Sequence, residues 1–107
     1  MENAEGLSGC TGFEWDRGNI EKNWLKHGVS PVECETVFFD RFLVIAEDPK
    51  HSQHEPRYYA LGQTDQGRLL FAVFTVRGGL IRVITARDMS RKERKAYEER
   101  QEGDTQL

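Results

Sequence analysis

The apolar positions of this chain concentrate in two long runs separated by a pair of glycines, and the remaining elements can be read outward from them. Leu69 to Val76 and Leu80 to Thr85 are rich in Leu, Val, Ile and Phe, with Arg77-Gly78-Gly79 between them. Two glycines supply the positive φ that a tight turn between antiparallel strands requires, so the pattern predicts a β-hairpin. With Gly78-Gly79 as a two-residue loop, Arg77 faces Leu80 and Thr75 faces Arg82, which puts Thr75, Arg77 and Arg82 on one surface. Upstream, Phe13 to Trp15 alternates apolar and acidic like a short strand. Asp16 can cap a helix to about His27, with Ile20, Trp24 and His27 on one face and Gly28 as a left-handed stop. Ser30-Pro31-Val32-Glu33 has the capping-box spacing with proline at the first helical position, and Cys34, Val37 and Phe38 form its inward face. Phe42 to Ala46 predicts a buried strand, Glu47 to Pro56 a polar loop, Arg57 to Gly62 another strand and Thr64 to Gly67 a turn into the hairpin. Ser90-Arg91-Lys92-Glu93 is a second capping box opening a helix to about Gln101. The predicted class is α+β: two N-terminal helices, an antiparallel sheet of three to four strands and one C-terminal helix.

At 107 residues the chain fits one domain. We expect a disordered arm over 1–12, the folded domain over 13–101 and a frayed tail over 102–107. No apolar run approaches the roughly 18 residues that cross a bilayer, and the first dozen residues lack the basic and apolar regions of a secretory signal. The expectation is a cytoplasmic protein with no membrane partner. The two cysteines, Cys10 and Cys34, have no zinc-binding spacing, and a disulfide between them is not expected in a reducing compartment.

Charge changes the picture more than composition does. The net charge is −3, but residues 57–95 carry nine Lys or Arg against three acids, a local +6, while the remainder carries six bases against fifteen acids. An anionic ligand belongs on the basic segment. For any single base the plainer reading is a solvated strand edge or helix surface, so the cluster says more than its members.

The polar loop EDPKHSQHEP holds His51 and His54 together with Glu47, Asp48 and Glu55. Two histidines three apart without a further His or Cys make a poor zinc or manganese site, so no metal is expected. General acid–base chemistry suits them better, because an imidazole exchanges protons near neutral pH; otherwise they satisfy backbone groups of the loop. His27, in the last turn of its helix, is first read as a cap or a partly buried side chain.

Taken together, Phe13-Glu-Trp-Asp16, Asn23…Lys26-His27-Gly28-Val29-Ser30, His51-Ser52-x-x-Glu55-x-Arg57, Gly67-Arg68, Thr75-x-Arg77 and Ile81-Arg82-Val-Ile-Thr-Ala-Arg87, followed by Glu93-Arg94 and Tyr97-Glu98, resemble the BrnT family of toxins from type II toxin-antitoxin systems. The resemblance runs from Phe13 to about Glu98, with the motifs in order. Thr85 stands where the family often has Ser, and Asp40-Arg41 replaces an acidic-Pro segment. The resemblance implies a RelE-like fold and a metal-independent endoribonuclease that halts translation and uses no cofactor. It also implies a BrnA-like antitoxin as partner and operator DNA bound only through the antitoxin complex. Its pattern falls on His27, His51, Glu55, Arg57, Arg68, Arg77, Arg82 and Arg87.

Elementary chemistry agrees with that expectation. RNA is cut when its own 2′-hydroxyl attacks the adjacent phosphate, so a protein need only align the backbone, move two protons and stabilise charge on phosphorus. Arginine stays protonated and offers phosphate oxygens a planar fork of donors. The expected site is therefore Arg77 and Arg82 as phosphate clamp, His51 and then His27 for proton transfer, and Glu55 as orienter or base. Arg57, Arg68, Arg87 and Lys26 are expected to hold RNA. A basic sheet that only receives an antitoxin or nucleic acid, without turnover, is the competing expectation.

Overall fold

A computed structural model describes residues 7, 9–51 and 54–105. One five-stranded sheet organises them, with strand order β1-β5-β4-β3-β2, where β1 is Gly12–Glu14, β2 Val44–Glu47, β3 Tyr58–Gln63, β4 Leu69–Arg77 and β5 Leu80–Asp88. The helices are α1 (Arg17–His27), α2 (Pro31–Val37) and α3 (Arg91–Thr105). The class is α+β as expected, but the sheet is mixed. Strands β2 to β5 are antiparallel, and β1 adds a parallel edge with Glu14 opposite Arg82. Pairing of a three-residue strand with a partner so distant in sequence leaves no local signature.

The hairpin forms for the reason its glycines suggest. Gly78 and Gly79 have φ of 55° and 77°, and the strands pair with Thr75 opposite Arg82 and Arg77 opposite Leu80. A bulge at Val73/Phe74 leaves Ile84 unpaired on β5. Helix α1 is capped by the Asp16 side chain and ends at Gly28 with φ 62°. Helix α2 has the full Ser30–Glu33 capping box, and Ser90 and Glu93 exchange the same two bonds at the start of α3.

Alternation divides the sheet into two faces. Leu70, Ala72, Phe74, Ile81, Val83 and Ala86 point to an inner face, where they bury Val29, Cys34, Val37 and Phe38 from the α1–α2 region. Phe38 packs edge-on to Phe13 and to Phe74, with centroids 5.6 and 5.0 Å away. Burial, with the charges of Glu33 and Glu35 adding to it, pushes the Cys34 thiol up to about 12, so this cysteine is a packing residue. The face of α1 turned to the sheet carries buried Asn23, not Trp24, which is 59% exposed. Asn23 Oδ1 accepts the Ala86 N–H left over at the sheet, a contact that hydrophobic periodicity does not report.

The outer face is covered only at one end. Tyr97 and Met89 close over Leu61, Leu69 and Phe71, and the Tyr97 hydroxyl donates to Asp40. Asp40 also accepts from the backbone N–H of Phe42 and Gln63, so this one carboxylate ties α3 to β3 and to the start of the β2 segment. Leu7 and Cys10 pack against the core, and Thr11 N–H donates to Gly79 O at 2.8 Å; most of the expected arm over 1–12 lies outside the described residues.

Gly62 offers a direct check of the inner packing. A Cβ there would stand 2.7 Å from Val37 Cγ1 and 3.1 Å from Val37 O. Gly62→Ala should therefore cost about 2 kcal/mol of stability through overpacking, measured by chemical denaturation. A neutral result would show that α2 packs loosely on β3.

Candidate active site on the outer sheet face

On β4 the outer face carries Phe71, Val73, Thr75 and Arg77, and across the hairpin it carries Leu80, Arg82, Thr85 and Arg87. Thr75 is 1% exposed, and its hydroxyl donates to Pro56 O at 2.8 Å. That bond draws the polar loop onto the sheet. Glu55 consequently meets Arg77 in a two-pronged pair, Nε to Oε2 at 2.9 Å and Nη2 to Oε1 at 2.7 Å. The hydrogen bond from Arg77, aided by the charges of Arg57 and Arg82, holds the Glu55 carboxyl below its ordinary range. A carboxylate so held is a poor proton acceptor and a good orienting group.

Arg82 is gripped from the other side of the hairpin. Its guanidinium lies 3.0 Å from Asp16 and 3.7 Å from Glu14. Asp16 thus has two tasks: one oxygen caps Gly18 and Asn19 at the start of α1, and the other receives Arg82. Its carboxyl is lowered first by the Gly18 N–H and next by Arg82.

The loop adds imidazole to this surface. His51 Nδ1 lies 2.9 Å from Asp48 Oδ2, and Asp48 N–H bonds Arg57 O at 2.8 Å, closing the base of the loop. Lys50, His51, His54, Glu55 and Arg57 line a pocket of about 260 Å³. The structure therefore brings together His51, Glu55, Arg57, Arg77 and Arg82 of the expected residues. Among the described residues, no group of three His, Cys, Asp or Glu is arranged to hold a metal ion.

The other expected residues lie elsewhere. Arg68 belongs to the inner-face side, where it bonds Asp88, Glu33 and the carbonyls of His27 and Gly28. It pins the end of α1, the start of α2 and the end of β5 to one another. His27 sits at that joint, close enough to Asp88 to help lower its carboxyl after Arg68, and Lys26 is exposed on the same helix turn. Neither shares the surface that holds His51. Arg87 is on the outer face but is engaged by Glu93 through both nitrogens and lies over the Phe71 ring, 4.1 Å from its centroid.

A family model described as "Ribonuclease toxin, BrnT, of type II toxin-antitoxin system" matches residues 15–93. The chain belongs to the BrnT family. The match spans the whole outer-face cluster except Glu14 and ends at Glu93. The 1.1 Å crystal structure of the Brucella abortus ribonuclease toxin, BrnT, has the same fold, with a TM-score of 0.56 at 20% identity, covering 76% of this chain and 99% of that chain. No curated protein matches the chain. The BrnT assignment makes this a ribonuclease toxin of a type II toxin-antitoxin system, with an antitoxin as its partner. Among the described residues no helix is long and apolar enough to cross a membrane.

Sequence reading missed Glu14, Asp16 and Asp48 as parts of the site. Asp16 announced itself only as a helix cap, and Glu14 reaches Arg82 through the unforeseen parallel strand. Asp48 stands three residues before His51, a spacing that one turn of 3₁₀-helix (Pro49–His51) converts into contact.

The Arg68 cluster yields a stability test. Asp88 is depressed chiefly by Arg68, and Glu33 is depressed because bonds from Ser30 and Arg68 outweigh its burial. Carboxyls lowered in the folded state stabilise above their unfolded values near ~4 and lose that contribution as pH falls through the folded values. Arg68→Met should cost about 2 kcal/mol at pH 7 and flatten the loss of stability in acid. Denaturation at pH 7 and pH 3 reads both, and an Arg68→Met protein of wild-type stability would remove Arg68 from the framework.

Proposed function

We propose that this chain is a metal-independent endoribonuclease that inhibits translation in the cytoplasm, cleaving RNA by 2′-hydroxyl attack and neutralised by a BrnA-like antitoxin through which operator DNA is also bound. The observation that carries the reading is the two-pronged Arg77–Glu55 pair at the rim of a pocket that His51 and Arg57 also line, with Arg82 near enough to help lower the Glu55 carboxyl. In this scheme Arg77 and Arg82 clamp the scissile phosphate and stabilise the charge that builds on it. Arg77 has the exposure for it, its side chain being 51% exposed, whereas Arg82 is 20% exposed and is reached through the Asp16 side of its guanidinium. Phosphate oxygens take over donors now given to Glu55 and Asp16, so the carboxylates keep the guanidinium forks aligned until RNA arrives.

His51, oriented by Asp48 through Nδ1, performs one of the two proton transfers through Nε2. The 2′-hydroxyl gives its proton to a base, His51 or water, as its oxygen bonds to phosphorus; the bond from phosphorus to the 5′-oxygen breaks, that oxygen takes a proton from His51 or water, and a 2′,3′-cyclic phosphate and a 5′-hydroxyl result. Glu55 positions Arg77 and takes no proton. The reading without turnover draws on the same ion pairs, since arginines already matched by internal acids could serve only to hold a partner.

Arg77→Ala and Arg82→Ala should each lower cleavage of RNA in EDTA by about 10²-fold or more while circular dichroism and antitoxin binding persist. Wild-type protein that binds antitoxin but cuts no RNA, with or without divalent metal, would favour the non-catalytic reading. Cleavage that EDTA abolishes would overturn metal independence. His51→Ala should alter the pH profile of cleavage more than RNA affinity.

A further inference from the structure

The outer face continues from the arginine cluster toward α3, and what lies there is aromatic. Tyr59 and Phe71 stand with ring centroids 5.9 Å apart and planes tilted by 30°. Arg87 lies over the Phe71 ring, held flat by two bonds from its guanidinium to Glu93. The result is a short ladder of planar groups, half-buried and not sealed. Between it and the first turns of α3 is an open pocket of about 320 Å³, lined by Tyr59, Leu61, Phe71, Lys92, Glu93 and Ala96.

We propose that this ladder is a nucleobase-stacking subsite for the RNA strand whose phosphate the arginine cluster holds. The inference rests on the ribonuclease reading above and extends it to a residue set that reads a neighbouring base. Rings and guanidinium planes on an open sheet are suited to unstacked bases, because every base has a π-face. Glu93 matches Arg87, and Lys92 on the pocket wall leaves the subsite one net positive charge, which favours a polyanion over an uncharged ligand. Spacing supports the continuity. Tyr59 is paired with Val73, and Phe71 lies two residues further along β4, so the ladder begins two to four residues from Thr75. At ~3.3 Å per residue that is roughly 7–13 Å from the row of Thr75 and Arg82, the reach of an adjacent nucleotide and too far for the scissile one. Glu93 positions the ladder, and its carboxyl is lowered by Arg87 and Ser90 despite its burial.

The test is an abasic scan. Cleavage of a defined RNA is first mapped, and binding is then measured with oligonucleotides carrying a 2′-deoxy nucleotide at the scissile position and a single abasic residue at each neighbouring position. Wild-type protein should bind about tenfold more weakly when one particular position near the cleavage point lacks its base. In Tyr59→Leu that position-specific loss should disappear, and in Tyr59→Trp it should remain, with both variants checked by denaturation to be folded. Loss spread evenly over all positions, or a position-specific loss of unchanged size in folded Tyr59→Leu, would overturn the subsite while leaving the nuclease intact. If wild-type protein neither binds nor cleaves RNA, the ribonuclease reading fails first and the subsite with it.

Discussion

A guanidinium group on a β-strand cannot be both dry and unpaired, and that constraint arranges much of this molecule. Arg68, Arg77, Arg82 and Arg87 all project from one hairpin or its approach, and each meets a carboxylate brought from another part of the chain. Asp16 and Glu33 lie at helix starts, Glu93 in the first turn of α3, and Glu55 in the polar loop. The elements surrounding the hairpin are positioned in part by the acids they deliver to it. Because pairs of this kind contribute little when exposed, the hydrophobic inner face carries most of the stability, and the ion pairs other than those of Arg68 carry register and orientation.

The same residue type serves two purposes on opposite faces. Arg68 is 28% exposed with its donors distributed over three elements, so surrendering them to a ligand would unfasten the framework. Arg77 gives its fork to one carboxylate at the rim of a pocket, and exchange of that carboxylate for a phosphate leaves the fold untouched. The difference between a structural and a functional arginine here is the number of elements that depend on it.

What sequence could reveal follows from the range of the interaction. Caps, the glycine turn and the pairing of Thr75 with Arg82 are local, and all were legible from spacing. The division of the arginines between faces was only partly legible, since alternation separates Arg68 from Arg77 but does not say which face a helix will cover. Long-range partners were hidden: Glu14 at Arg82, Glu33 at Arg68, and Asp40 as the acceptor that receives Tyr97. The inward face of α1 was misread because its key residue, Asn23, is polar and meets a backbone N–H and not a side chain. Arg87 was singled out for RNA, but the Tyr59–Phe71–Arg87 ladder was hidden because Tyr59 and Phe71 look like ordinary strand filling until the sheet aligns them with it.

The parallel edge formed by β1 has a bearing on how the protein matures. It closes a loop of more than sixty residues, an entropic outlay that hairpin contacts do not share, so it is suited to being the last strand to dock. Until it does, β5 shows a bare row of hydrogen-bonding groups and Arg82 lacks both Glu14 and Asp16. The strand that carries both Arg82 and Arg87 is then also the one with an open edge for as long as β1 is undocked, so β1 serves as a cover as much as a scaffold.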